Sequence, residues 1–129
     1  MDITKYLFDD CRVFEFEATC YDYKKDQVEL EHAILAQFDV YDDEFDFKYD
    51  DGMSFLLVGQ PPMSNVTNLN VFTNFNTLLE LSSKFVNITF IYSFTVESDE
   101  IMLYVDIGIK GGKVISDKCI SGFFNEELV

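Results

Sequence analysis

The chain has 129 residues, with 24 Asp and Glu against nine Lys and Arg, and so a formal charge of −15. That length makes one domain with a radius of gyration of about 14 Å, and a 48% hydrophobic, 16% aromatic composition supplies its core and excludes global disorder. The shortage of bases disfavours sequence-independent binding to DNA, RNA or an anionic membrane, each of which needs a surplus of Lys and Arg.

In chain order, Met1 to Lys5 has no basic stretch leading into an apolar run, so no secretion signal is read there. Nowhere does an apolar run approach the roughly 18 residues of a membrane span. From Arg12 to Cys20, Phe14, Phe16, Ala18 and Cys20 alternate with Glu15, Glu17 and Thr19, the pattern of a half-buried strand. Between Val28 and Val40 two patterns compete. Val28, Leu30, His32, Ile34, Ala36, Phe38 and Val40 alternate with Glu29, Glu31 and other residues, which favours a long strand. Leu30, Ile34 and Phe38 also recur every four residues among good helix formers. The alternation covers more positions and predicts a strand.

Phe45, Phe47 and Tyr49 alternate with Asp46, Lys48 and Asp50 in a further predicted strand, ended by Asp51-Gly52. Met53 to Val58 reads as a buried strand, stopped by Gly59-Gln60-Pro61-Pro62 and followed by an Asn- and Thr-rich loop. A helix is predicted over 74–85. Phe75, Leu78, Leu79, Ser82 and Phe85 share a face, Thr77 and Glu80 have capping-box spacing, and Lys84 suits the C-terminal dipole. Ile88, Phe90, Tyr92, Phe94 and Val96 then line one strand, and Leu103, Val105, Ile107 and Ile109 its return. Gly111-Gly112, between Lys110 and Lys113, predicts a two-residue hairpin leading into Val114-Ile115. The expected architecture is a single α+β domain spanning 1–129. It is a mainly antiparallel sheet with one amphipathic helix packed on one face, and a ferredoxin-like variant would satisfy it.

The stretch from Leu81-Ser82-Ser83-Lys84-Phe85 through Asn87-Ile88-Thr89-Phe90 to Lys110-Gly111-Gly112-Lys113 resembles the helix-strand-hairpin end of a ferredoxin-like family of small plasmid- and phage-borne proteins of unknown function. The resemblance covers about residues 72–118 and carries no catalytic signature. It implies a mobile-element origin. The first half of the chain does not follow that family's pattern.

Chemistry is sparse. Three cysteines, Cys11, Cys20 and Cys119, lack zinc-site spacing and read as small core residues of a reduced, cytoplasmic protein. The single histidine, His32, falls in the register of the apolar face and reads as a packed core residue. No phosphate-binding glycine loop and no nucleophile elbow are present. No catalytic residue, cofactor or metal is assigned. Asp42, Asp43, Glu44, Asp46, Asp50 and Asp51 offer hard oxygen ligands, yet Lys48 interrupts them where a calcium loop would place another donor.

The acids are unevenly spread: residues 1–51 hold 16 acids and five bases, net −11, against −4 for 52–129. On strand registers, Glu15, Glu17, Glu29 and Glu31 would line one side of a sheet. Asp46 and Asp50 would alternate outward in the same way, within an acidic segment that also holds Asp39, Asp42, Asp43, Glu44 and Asp51, with Tyr41 and Tyr49 as anchors beside the acids. Residues 39–51 carry a net −6. Extended over about 43 Å they present one charge per about 7 Å, against one per about 1.7 Å for duplex DNA. One strand is too sparse to imitate a duplex, and adjacent acidic strands would be required. The function expected from this pattern is a non-enzymatic phage or mobile-element inhibitor of a bacterial defence nuclease, of the anti-CRISPR or anti-restriction type. Its partner would be a basic nucleic-acid-binding protein or nuclease complex in the bacterial cytoplasm, with no direct binding of nucleic acid or membrane. An immunity protein against a cationic nuclease toxin and a carboxylate-based metal-binding protein are the alternatives. An exposed strand edge would also permit a homodimer.

Overall fold

The structure, a computed structural model, describes residues 12–38, 47–49, 52–56, 68–97 and 101–123. Strand β1 (Arg12–Tyr21) is followed by a 3-10 turn (Lys24–Asp26) and helix α1 (Gln27–Gln37). Next come β2 (Lys48–Tyr49), β3 (Met53–Leu56), helix α2 (Asn68–Lys84), β4 (Thr89–Glu97), β5 (Ile101–Lys110) and β6 (Lys113–Phe123). The strands form one sheet in the order β2-β3-β1-β4-β5-β6, with every pair antiparallel.

Cross-strand register shows which face the helices cover. Phe55, Ala18, Tyr92 and Ile107 stand in one row across β3, β1, β4 and β5, and all are buried. Phe75 of α2 stacks on Tyr92, with ring centroids 5.9 Å apart. Phe38, at the end of α1, meets Phe55 at 5.7 Å. Both helices therefore lie on the same face, and the apolar alternation of β4 is the floor beneath them. The first four strands with the two helices follow the β-α-β-β-α-β order of a split βαβ, the ferredoxin-like arrangement. The β5–β6 hairpin extends it at the β4 edge.

The predicted strand over 28–40 is corrected: residues 27–37 are α1. Leu30, Ile34 and Phe38 belong to both patterns, so they cannot separate them, and all three are buried as the helical spacing requires. Val28, His32 and Ala36, which only the strand reading placed inside, are exposed. His32 is thus a surface residue and not a packed core one. Helix α2 begins at Asn68, six residues before the predicted start. Thr77 is consequently in the helix interior, where its Oγ1 donates to the Thr73 carbonyl at 3.0 Å instead of capping a terminus. The Asn- and Thr-rich loop expected over about 64–70 is corrected at its end, where Asn68 to Asn70 belong to α2; residues 64–67 lie outside the described residues.

The later strands match their prediction. Gly111 and Gly112 have φ of +60° and +76°, as a type I′ turn demands. Strand β6 runs on to Phe123, well past Ile115. Of the predicted strand 45–49, Lys48–Tyr49 is strand, while Phe45 lies outside the described residues. Strand β1 has a register shift between Val13 and Glu15, so Phe14 has no opposite residue on β4. Cys20 is buried, and burial raises its thiol pKa far above the usual range. Cys119 is exposed on β6, which corrects its assignment to the core; Cys11 lies outside the described residues.

Candidate partner-binding surface

The expected acidic sheet face does not assemble. Glu15 and Glu17 lie on β1, but Glu29 and Glu31 lie on α1, so the four cannot line one side of the sheet. Opposite Glu15 and Glu17 on β4 stand Thr95 and Ser93, so no acid faces an acid across that pair. The row through Glu17 continues across Ser93 and Asp106 to Lys118 on β6. Glu17 is half-buried there. On α1, Glu29 is exposed and Glu31 accepts a long contact of 3.5 Å from the Gln27 amide. Tyr49 is exposed, with its ring against Tyr23 at 6.0 Å.

The remaining candidates, Asp39, Tyr41, Asp42, Asp43, Glu44, Asp46, Asp50 and Asp51, lie outside the described residues. Their attachment points, however, are described. Phe38 and Phe47 bracket residues 39–46, and each ring packs on Phe55 of β3, at 5.7 and 6.3 Å. The two residues that flank this stretch of five acids in eight positions therefore meet at one core aromatic of β3. Asp50 and Asp51 lie in the sequence between the paired strands β2 and β3.

This placement reassigns the charge. The described residues contain ten acids and eight bases, net −2, and the other −13 lies in the segments between and beyond them. The described residues are close to neutral, and most of the charge lies in the sequence outside them. Four of the eight described bases lie toward the β6 edge of the sheet, opposite β2, while Lys48 is on β2 itself. Lys110 and Lys113 flank the hairpin turn, and Lys118 is on β6. Lys84 closes α2, against which that turn docks. The Gly112 N–H donates to Ser82 Oγ at 2.8 Å, and Ser82 Oγ donates to the Leu79 carbonyl at 2.9 Å.

Helix α1 supplies a surface that strand reasoning missed. Its inner face carries Leu30 and Ile34, yet Val28 is 66% and Leu35 45% exposed on the outside, with His32 between them. A helix apolar on both sides normally has a partner on each. A helical reading of Val28, His32 and Leu35 as i, i+4, i+7 would have found this stripe. It runs into the acidic segment 39–46, which directly follows α1.

Among the described residues no group of His, Cys, Asp and Glu is placed to hold a metal ion, and no helix is long and apolar enough to cross a membrane. No family model matches the chain, and neither a curated protein nor a solved structure does.

Proposed function

We propose that the protein is a non-enzymatic inhibitor of phage or mobile-element origin that occupies a basic nucleic-acid-binding groove in a bacterial defence nuclease. One observation supports the reading: the described residues are nearly neutral, and the acid-rich sequence 39–46 is bracketed by Phe38 and Phe47, which both pack on Phe55 of β3. Solubility alone asks for a net charge of only about −2 to −8 and no such concentration. The field of these acids steers a cationic partner toward them. The exposed stripe Val28, His32 and Leu35 beside it supplies the apolar contact that holds the partner once docked. The interface is thus an acidic segment with an adjoining helix face, and not an acidic sheet.

The test is cleavage of duplex DNA by purified restriction and RNA-guided nuclease complexes, with and without the protein, over a salt series. Inhibition that weakens steeply with salt, and is lost when Asp42, Asp43, Glu44 and Asp46 are all changed to Lys, supports the reading. Inhibition unaffected by those changes overturns it. Selective inhibition of a secreted nuclease toxin would instead favour the immunity role.

A further inference from the structure

Three lysines flank the contact between the β5–β6 turn and α2. Lys110 and Lys113 are register partners on either side of Gly111-Gly112, so their side chains share one face of the hairpin. Like charges placed directly opposite one another destabilise a strand pair. The turn is fixed against the last turn of α2, since the Gly112 N–H donates to Ser82 Oγ and a Cβ on Gly112 would stand 3.0 Å from Ser83 Cβ. One residue on from that contact, along each stretch of chain, come Lys113 and Lys84. All three lysines are exposed, and none has an ion-pair partner among the described residues, although the chain holds 24 acids. Glu80 precedes Lys84 at the helical i, i+4 spacing that favours a pair, yet the two are not joined. Nor do the lysines cap α2. The Leu79, Glu80 and Leu81 carbonyls accept from Ser82 Oγ, Ser83 Oγ and the Phe85 N–H.

Beside Lys113 an open groove of about 630 Å³ lies between α2 and the start of β6. That volume falls within the range of about 300–1,000 Å³ that small-ligand sites occupy. Leu79, Val114 and Ile115 give it apolar walls, and Ser116 adds a hydroxyl. Ile115 is the bulged residue of β6, passed over by the register with β5, and is 57% exposed. Asp117, which has an interaction of its own, lines the groove four residues beyond Lys113. The groove is therefore cationic at the turn and anionic farther along the strand. A ligand with one anionic end lies in it with that end toward Lys113.

We propose that this groove binds a small phosphate ester of the nucleotide class, with its phosphate on Lys84, Lys110 and Lys113 and its base against Leu79, Val114 and Ile115. Ammonium groups with no partner of their own supply both charge and donors to a phosphate. The apolar walls favour a ligand with a flat apolar body over a bare ion. The charge of the whole chain sets the ligand's size. A molecule of −15 repels a nucleic-acid strand or an anionic membrane phosphate by phosphate, but opposes a single ester through one group only. The turn also leaves room for the ligand, because a Cβ on Gly111 would meet nothing within 4 Å and the backbone there is open to close approach. The groove shares no residue with the surface proposed for a nuclease partner, so the two readings stand or fall separately.

Titration of the full chain in phosphate-free buffer, followed by amide chemical shifts and by calorimetry, tests the proposal. The probes are adenosine and cytidine monophosphates, adenosine, inorganic phosphate and a ten-nucleotide single-stranded DNA. The expected result is a saturable shift of the Gly111 and Gly112 amides with a mononucleotide, and binding at least tenfold weaker for adenosine and for inorganic phosphate. Lys113→Gln is expected to weaken the mononucleotide at least tenfold, and Lys84→Gln about threefold. Ile115→Ser should weaken the mononucleotide and leave inorganic phosphate unchanged, which separates the groove from the lysines. All three side chains are exposed, so the circular dichroism spectrum is expected to stay the same. No saturable binding of either mononucleotide overturns the proposal, as does binding indifferent to Lys113→Gln. Inorganic phosphate binding as tightly as the mononucleotides would remove the groove from the site, and tighter binding of the oligonucleotide would overturn the small ligand in favour of a strand.

Discussion

At the residue scale, the hairpin turn shows two glycines with different obligations. Both have positive φ, so a Cβ at either costs about 1–2 kcal/mol. At Gly111 a Cβ would enter open space, whereas at Gly112 it would stand 3.0 Å from Ser83 Cβ. Gly112→Ala is therefore expected to destabilise more than Gly111→Ala in urea unfolding. Ser82→Ala leaves the Gly112 N–H without its side-chain acceptor and removes about 1–3 kcal/mol. The glycine pair was legible because the required turn type depends on adjacent residues. Ser82 was not, since its partner lies 30 positions along the chain.

Burial makes a second residue-scale prediction. It raises the pKa of Cys20 and of Tyr92 far above their usual values, through loss of hydration of the charged form. The unfolded chain ionises these groups from about pH 9 and 10 upward, while the folded chain keeps them neutral. Their stabilising contribution is thus complete below the unfolded pKa values. It is lost as pH rises toward the folded ones, by about 1.4 kcal/mol per pH unit for each group. A denaturation series from pH 8 to 11 is expected to fall accordingly. Cys20→Ala should make the alkaline limb shallower, apart from a constant cost for the smaller side chain. An alkaline limb unchanged in slope would remove Cys20 from this account.

At the element scale, α1 is the instructive case. Leu30, Ile34 and Phe38 satisfy both a period of two and a helical repeat, so the decisive positions are those that differ, Val28, His32 and Ala36. Their spacing favours a strand because an exposed apolar residue looks the same in a sequence as one that faces the core. The rest of the sheet was legible where only one period fits, as in Phe90, Tyr92, Phe94 and Val96. The distinction is measurable. Leu30→Ala and Ile34→Ala each empty a buried site and should cost about 2–5 kcal/mol. Val28→Ala and Leu35→Ala should change stability by under about 0.5 kcal/mol. If the outer pair proves as costly as the inner pair, the stripe on α1 is structural and has no binding role.

At the scale of the whole molecule, the charge and the fold are largely separable. The described residues have a net charge of −2, and five further acids fall in the sequence between Phe38 and Phe47. Mutual repulsion there opposes bringing Phe38 and Phe47 together on Phe55. Neutralising that segment, through Asp42→Asn, Asp43→Asn, Glu44→Gln and Asp46→Asn, is therefore expected to leave the melting temperature unchanged or higher at low salt. The difference from the unaltered protein should shrink as salt is added. Binding should respond in the opposite direction. Association with a basic partner slows about tenfold or more and loses much of its salt dependence, while dissociation, governed by apolar contacts of α1, changes little. A melting temperature that drops on neutralisation would mean that the acids are held by bases within the fold, and the case for a surface selected against stability would fail. A rise in stability joined to slower capture is what separates an acidic segment kept for a partner from one kept for the fold.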